Sequence, residues 1–341
     1  MANSPERASV KLLHLAQTGA NASLFRPAFR AALEPLGILE CIENAQALST
    51  TERLEKIRSC DVLLTAWGSL PVPEELATDT GQLGYICHLT GELRHTVPLS
   101  LIQAGIPVTN WGAAPANRVA EGAMALLLAC LKNLHDHIQA KQAGEWVPAS
   151  VSWSGTLSGM RLGVYGYGII GRRFCELAAP FGPTILVFDP FVTECPYSQA
   201  GSLDDLFANS DAISLHAGLT PETKGAIGPA QLALLPDHGI IVNTARGGLI
   251  DQNALFAELE LGRLRAGLDV LDGDDRLPID HPARHWPNLI LTAHRVEQNE
   301  WPPAEDGLLE LHRVALENLR RFAKKEPLQF LMTEQRYELS T

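Results

Sequence analysis

Arg161-Leu-Gly-Val-Tyr-Gly-Tyr-Gly-Ile-Ile-Gly171 is the stretch on which the reading of this chain turns. Leu162, Val164 and Tyr165 read as a buried strand, Gly166, Gly168 and Gly171 form Gly-x-Gly-x-x-Gly, and Arg172 to Leu177 continue as a helix. The first glycine permits the tight turn out of the strand, the second lets a pyrophosphate approach the backbone, and the third lets helix and strand pack closely. Around them Tyr167, Ile169 and Ile170 open the helix, whose free N–H groups and positive dipole favour phosphate. A glycine-rich turn without a ligand has the same spacing. Against it stands a second apolar run, Thr184-Ile-Leu-Val-Phe188, ending in Asp189. That acid falls about 20 residues beyond the glycines, where a carboxylate binds the ribose hydroxyls of NAD. It also repels a 2′-phosphate, and Pro190-Phe191 follow it rather than an arginine, so NAD is the expected cofactor.

The rest of the chain sets bounds on what this site serves. A length of 341 residues suggests two domains, each with its own core. Acidic side chains outnumber basic ones by 39 to 27, a net charge of −12 that argues against a nucleic-acid surface. Cys41, Cys60, Cys87, Cys130, Cys175 and Cys195 show neither Cys-x-x-Cys nor metal-ligand spacing. Free thiols in a reducing compartment, and no metal, are expected. Met1 to Arg7 opens without an apolar leader, and the longest apolar run, Ala123 to Leu131, is too short to cross a bilayer. The expectation is a cytoplasmic protein without membrane contact.

Upstream of the glycines, Val10 to Ala16, Asp61 to Trp67, Leu83 to His88 and Ile106 to Asn110 read as strands, with a helix over Phe29 to Leu36. This alternation predicts a parallel α/β sheet, and without a glycine loop of its own it is expected to form a second domain. Asn117 to Ile138 predicts one long helix, apolar round much of its circumference. Such a helix is buried, either in its own core or at a domain or subunit interface. Downstream, Asp211 to His216, Gly239 to Thr244, Arg265 to Val270 and Asn288 to Thr292 read as strands. Helices are expected over Ser202 to Ala208, Pro229 to Leu235 and Asn253 to Leu261, and from Pro303 onward, the last packing back on the N-terminal domain. Each of these loops leaves the carboxyl end of a strand, where an open α/β sheet binds ligands. Arg246, Asp269 with the acids after it, and His294 are therefore expected to converge on the cofactor.

Together these stretches resemble the D-isomer-specific 2-hydroxyacid dehydrogenases. The likeness runs through Ile106-Pro-Val-Thr-Asn110, Val119-Ala-Glu121, the glycine loop, Leu219-Thr-Pro-Glu-Thr223, Val242-Asn-Thr-Ala-Arg-Gly-Gly-Leu249, Gly262-Arg-Leu264, Leu268-Asp-Val270, His281-Pro282 and Pro287 to His294. That is over half the chain in the family's order, and Val242 to Leu249 is the most specific piece. The resemblance implies two Rossmann-like, doubly wound parallel-sheet α/β domains. A cofactor domain over 111–297 would be inserted in a split, flavodoxin-like substrate domain formed by 1–110 and 298–341. It further implies hydride transfer between NAD and C2 of a small 2-oxo or D-2-hydroxy acid, and a homodimer through 117–138. Arg246 is implied to hold the substrate and His294 to move the proton. His216, Leu219, Thr223, Thr244 and Ala245 are implied to lie along the cofactor, and Asp269 to bind its carboxamide.

The chain departs from the family at three places. The family's glutamate, five residues after the Asp-Val aspartate, is replaced, and counting from Asp269 puts Asp274 in its place. Asp272 and Asp275 are neighbours that a one-residue shift would substitute, and a solvated acidic loop is the alternative. An aspartate there can still hold the imidazole and raise its pKa, from one methylene further back. After His294 the family's small residues give way to Arg295-Val-Glu-Gln-Asn299, which brings bulk and charge near the histidine. The family's carboxylate-binding loop appears as Leu89-Thr-Gly-Glu-Leu-Arg94, where only Gly91 keeps its place. Backbone N–H groups around Thr90, Gly91 and Glu92 are expected to bind a carboxylate, with Glu92 turned away and Arg94 offsetting its charge. The rival reading is an NAD-binding sensor or corepressor on the same scaffold with little turnover, as the family's C-terminal-binding proteins are. A purely structural paralogue comes third, and formate oxidation is disfavoured because it needs no proton from the histidine.

Overall fold

Residues 9–146, 154–273, 276–297 and 303–339 are described by a computed structural model. The short apolar runs fold as parallel strands and the amphipathic stretches between them as helices. The chain divides into two units, Met1–Ala114 with Glu300–Thr341, and Pro115–Asn299.

The first unit contains β1 (Val10–Leu15), α1 (Pro27–Leu33), β2 (Gly37–Ile42), α2 (Thr50–Arg58), β3 (Val62–Thr65), β4 (Tyr85–His88), α3 (Leu99–Gln103) and β5 (Val108–Thr109). Its sheet is parallel in the order β2-β1-β3-β4-β5, the flavodoxin-like winding. Strands β3 and β4 are buried at every residue, as the middle of a sheet with both faces covered must be. Neither β2 nor α2 was expected from the sequence. Gly37 starts β2 hard against the Val10 carbonyl, where a Cβ would collide. Ser49 opens α2 with a reciprocal capping box to Glu52, which satisfies two of the helix's unpaired N–H groups.

The second unit contains α4 (Ala116–Leu131), α5 (Leu134–Gln142), β6 (Arg161–Tyr165), α6 (Ile169–Ala178), β7 (Thr184–Phe188), β8 (Ser198–Gln199), α7 (Leu203–Ala208), β9 (Ala212–Leu215), α8 (Pro229–Leu234), β10 (Ile240–Asn243), α9 (Gln252–Glu260), β11 (Arg265–Leu268) and β12 (Leu289–Leu291). Its parallel sheet runs β12-β11-β10-β9-β6-β7-β8. Winding reverses between β6 and β9, and such a switch point opens a crevice at the carboxyl ends of the strands. The fold class is thus the expected one, two parallel-sheet α/β units.

The single helix expected over 117–138 is corrected to two. The chain leaves α4 after Leu131, and Asn133 takes a left-handed φ of 51°, which asparagine tolerates better than most residues. The turn lets the buried Asp136 of α5 pair with Arg265 at the start of β11, at 3.2 Å. Ala123, Leu127 and Cys130 of α4 pack with Leu162, Phe174 and Val242, so its apolar stripe is used within its own unit. Leu134 and Ile138 of α5 stay nearly half exposed.

The chain returns to the first unit with α10 (Glu310–Lys324) and α11 (Glu334–Leu339). Leu311, Ala315 and Leu319 of α10 pack with Phe29 and Tyr85. The helix begins at Glu310 rather than at Pro303. Gly307 is left-handed at φ 69°, and the Asp306 carboxylate accepts the Leu308 N–H at 3.1 Å, a local turn that competes with helix. Among the described residues no helix is long and apolar enough to cross a membrane.

Candidate active site

The carboxyl edge of the second unit's sheet gathers the glycine loop after β6, Asp189 after β7, His216 after β9, Arg246 after β10, Asp269 after β11 and His294 after β12. Gly166 has φ 93°, and a Cβ on it would stand 2.5 Å from the Ala217 nitrogen. A Cβ on Gly171 would strike the Gly166 carbonyl, whereas one on Gly168 would meet nothing within 4 Å. The loop is therefore tight where strand, turn and helix meet, and open in front of the first turn of α6, which no side chain caps. Open space beside uncapped helical N–H groups fits a pyrophosphate. The Tyr167 N–H donates to Asp189 Oδ2 at 2.7 Å and the Phe191 N–H to Oδ1 at 2.9 Å, which fixes the acid beside the loop. Ile169 and Ile170 form the first turn of α6.

Further along the edge, His216 Nε2 meets Ser214 Oγ at 2.9 Å. Burial pushes its pKa down to about 3, so the ring is neutral. His216 Nδ1 and the Thr244 hydroxyl are buried with no hydrogen-bond partner among the described residues. Buried polar atoms left this way are where a ligand would complete the bonding. Thr223 Oγ1 accepts the Thr220 N–H and donates to the Gly218 carbonyl, both at 2.7 Å, and closes the loop on which Leu219 packs over Gly248. These features fit a dinucleotide bound along the edge.

Arg246 is presented by a turn built from its neighbours. The Asn243 side chain accepts the Ala245 N–H at 3.0 Å and donates to the Arg246 carbonyl at 2.9 Å. Gly247 has no room for a side chain, because the backbone of Leu271 and Asp272 lies against it. Asp269, 3% exposed, organises the histidine. Its Oδ1 accepts from Thr292 Oγ1 at 2.7 Å, the Arg295 N–H at 2.8 Å and the Val296 N–H at 3.3 Å, and its carbonyl accepts the His294 N–H at 2.5 Å. Ala293 and His294 are both left-handed, at φ 56° and 57°. Two such residues in a row cost about 1–3 kcal/mol each, and the bonds to Asp269 offset that cost.

Past the histidine, Val296 presses on α4. A Cβ on Gly122 would come within 2.5 Å of Val296 Cβ. Glu297 follows, half-buried, with Arg118, His294, Asp269 and Arg246 as its charged surroundings. Gly122 and Arg118 were not singled out from the sequence, whereas Glu297 lies in the stretch expected to bring charge near the histidine. The available signal was the replacement of small residues after His294 by Val296 and Glu297. Asp274, Asp275 and Gln298 lie outside the described residues. Asp272 is exposed, and its N–H donates to Gln252 Oε1 at 2.9 Å.

In the first unit the Leu89–Arg94 loop leaves β4 at His88, which is buried. The ring's Nδ1 meets Thr65 Oγ1 at 2.9 Å, and Nε2 meets Thr90 Oγ1 at 2.8 Å and the Glu92 carbonyl at 2.9 Å. A carbonyl only accepts, so Nε2 carries the proton. Burial lowers the ring's pKa to about 4, and a neutral imidazole thus clamps the loop. The Asn110 amide donates to the Gly91 carbonyl at 3.1 Å, and a Cβ on Gly91 would reach the Trp111 indole at 2.6 Å. No acceptor among the described residues takes the N–H groups of Thr90, Gly91 and Glu92. The Glu92 carboxylate folds back to accept the Arg94 N–H at 2.5 Å. Arg94, expected to offset the charge of Glu92 at a carboxylate site, has partners within its own unit. Its guanidinium donates to the carbonyls of Tyr337, at 3.1 Å, and Glu338, which end α11 and lack helical donors.

The profile of the D-isomer specific 2-hydroxyacid dehydrogenase NAD binding domain matches residues 124–295. That span holds the glycine loop, Asp189, Arg246, Asp269 and His294, and makes the cofactor a nicotinamide dinucleotide. The chain is 33% identical over 279 residues to D-3-phosphoglycerate dehydrogenase of Methanocaldococcus jannaschii, covering 80% of this chain and 52% of that protein. It is 30% identical over 312 residues to hydroxypyruvate reductase of Blautia hydrogenotrophica, covering 87% and 92%. The solved glyoxylate reductase from Paecilomyes thermophila superposes with a TM-score of 0.75 at 27% identity, over 96% of this chain and 99% of that one. The chain spans about half the length of the phosphoglycerate dehydrogenase it matches.

Proposed function

The chain belongs to the D-isomer-specific 2-hydroxyacid dehydrogenases, and from that membership we propose that it moves a hydride between NAD and C2 of a small 2-oxo or D-2-hydroxy acid. One observation carries the reading: the open glycine loop, the Arg246 turn and the Asp269-held His294 turn occupy one edge of one sheet. Gly166 to Gly171 and the first N–H groups of α6 hold the pyrophosphate. Asp189 takes the ribose hydroxyls and selects NAD over NADP. His216, Leu219, Thr223, Thr244 and Ala245 line the cofactor, and Asp269 meets its carboxamide. Bound there, the cofactor supplies or accepts the hydride at nicotinamide C4.

Arg246 grips the substrate's carboxylate and carbonyl oxygen with its fork, which fixes C2 and stabilises charge developing on that oxygen. His294 as imidazolium gives its proton to the C2 oxygen during reduction, and as neutral imidazole takes the hydroxyl proton during oxidation. Asp274 stands at the family's acid position in the sequence and supports His294. In the first unit, the backbone of Thr90, Gly91 and Glu92 binds a carboxylate. Leu134 and Ile138 form the centre of a homodimer face, and free thiols fit a cytoplasmic setting.

The test follows NADH oxidation with glyoxylate, hydroxypyruvate, pyruvate and bulkier 2-oxo acids. Turnover of at least one is expected, and His294→Ala should lower kcat by about 100-fold to 10,000-fold. NADH binding without turnover of any acid would sink the enzyme reading.

A further inference from the structure

Resting on the hydroxyacid dehydrogenase reading, we propose that Trp67 and Trp111 form a subsite for the substrate's side chain, so that the preferred substrate is a 2-oxo acid with an aromatic or large apolar side chain. The winding of the first unit's sheet reverses between β1 and β3, and a switch point of this kind opens a crevice at the carboxyl ends of the strands. Trp67 follows β3, the Leu89–Arg94 loop follows β4 and Trp111 follows β5, all at that edge.

Local chemistry fixes both indoles. Trp67 sits on a turn that closes from Ala66 to Ser69. The Ser69 N–H donates to the Ala66 carbonyl and the Ala66 N–H to Ser69 Oγ, both at 2.9 Å. The Gly68 N–H donates to Asn21 Oδ1 at 3.1 Å and the Gly68 carbonyl accepts the Gln17 N–H at 3.1 Å, which ties the turn to the loop after β1. Trp111 packs on the buried core of the unit, and its N–H donates to the Thr90 carbonyl at 3.3 Å. The two indoles meet edge to face, with centroids 5.2 Å apart and planes at 84°. Trp67 nonetheless stays 54% exposed. A large aromatic held in place and left half in water forgoes the hydrophobic stabilisation its area offers.

What covers it follows from what adjoins it. Gly91 lies against the Trp111 indole with no room for a Cβ between them. The indole pair therefore borders the loop whose Thr90, Gly91 and Glu92 N–H groups meet no acceptor among the described residues. A carboxylate bound to those N–H groups, as proposed above, holds C2 and its side chain within a few bonds of the indoles. An aromatic or branched aliphatic side chain there covers Trp67 and gains ring contact. A hydroxyl or phosphate would give up water without regaining its hydrogen bonds. Glyoxylate, with hydrogen in place of a side chain, leaves the subsite empty.

The experiment compares kcat/KM for NADH-dependent reduction of glyoxylate, pyruvate, 2-oxoisocaproate, phenylpyruvate and phosphohydroxypyruvate. Phenylpyruvate and 2-oxoisocaproate should exceed glyoxylate by about 100-fold. Trp67→Ala should lower the phenylpyruvate-to-glyoxylate ratio about tenfold, and Trp67→Phe should restore most of it. The ratio cancels any general loss of folded enzyme. A wild-type preference for glyoxylate or phosphohydroxypyruvate overturns the proposal while the dehydrogenase reading stands, and so does a ratio that Trp67→Ala leaves unchanged. If no acid is reduced, the dehydrogenase reading falls, and the subsite is then read by phenyllactate. Saturable quenching of tryptophan fluorescence that weakens about tenfold in Trp67→Ala supports it, and the absence of quenching overturns it.

Discussion

His14, His88 and His216 show how burial alone sets the chemistry of a histidine. His14 donates from Nδ1 to the Leu64 carbonyl at 2.9 Å and stacks on Phe25 at 3.9 Å, and burial lowers its pKa to about 4. With His88 also near 4 and His216 near 3, all three rings are neutral at pH 7 in the folded protein. In the unfolded chain they titrate near 6.5. On acidification the unfolded state therefore takes up protons first. The stability these rings contribute is complete above pH 6.5 and is lost as pH falls towards 4. The contribution is up to about 3 kcal/mol for His14 and His88 and about 5 kcal/mol for His216. Urea midpoints should fall steeply from pH 7 to pH 4.5, and His88→Asn should flatten the slope by about one proton. An equal slope in that variant would exclude His88 as a source. Asp189 makes the second prediction at this scale. Asp189→Arg should shift the ratio of NADH to NADPH affinity by at least about tenfold towards NADPH, by fluorescence titration. An unchanged ratio refutes its ribose role.

At the scale of elements, the Asp269–Val296 region shows how a helix shapes the turn proposed to be catalytic. Gly122 sits in the interior of α4, where glycine costs about 1 kcal/mol relative to alanine. The space it leaves is filled by Val296. Gly122→Ala should therefore raise helix propensity and still harm the protein, since the new methyl displaces the turn that carries His294. Overpacking of this kind costs about 1–3 kcal/mol. The expected result is a loss of about 100-fold in kcat with little change in NADH affinity, because the glycine loop lies elsewhere on the sheet edge. Wild-type kcat in Gly122→Ala would show that the turn does not depend on α4. The break between α4 and α5 belongs to the same scale. Apolar periodicity runs on through Leu134 and Ile138, but an ion pair between Asp136 and Arg265 holds α5 in a direction periodicity does not encode.

At the scale of the whole molecule, the two units are each wound about a parallel sheet, and the second interrupts the first in sequence. Once α4 has packed on its own sheet, the large apolar side chains of the 117–138 stretch that remain exposed are those of Leu134 and Ile138, four residues apart on one face of α5. If they centre a homodimer, Leu134→Glu with Ile138→Glu should convert a dimer to a monomer by light scattering while NADH binding persists. A wild-type monomer would count against the dimer altogether.

The sequence by itself determined the fold class, the nicotinamide cofactor and the order of the carboxyl-edge loops. Those properties are local: glycine spacing sets a turn, apolar runs set buried strands, and alternation of strand and helix sets a parallel sheet. Strand β2 escaped notice because Ile38 points outward and Glu40 interrupts the run. The start of α10 escaped because a side-chain turn at Asp306 outcompetes helix. What only the tertiary structure decided are relations between residues far apart in the chain. Arg94 donates to the carbonyls of Tyr337 and Glu338, partners more than 240 positions away in the chain that its own stretch does not announce. Gly122 of α4 and Val296 of the turn after His294, far apart in the chain, meet only in the folded unit. Burial and charge add over all neighbours in space, and a sequence lists only neighbours along the chain.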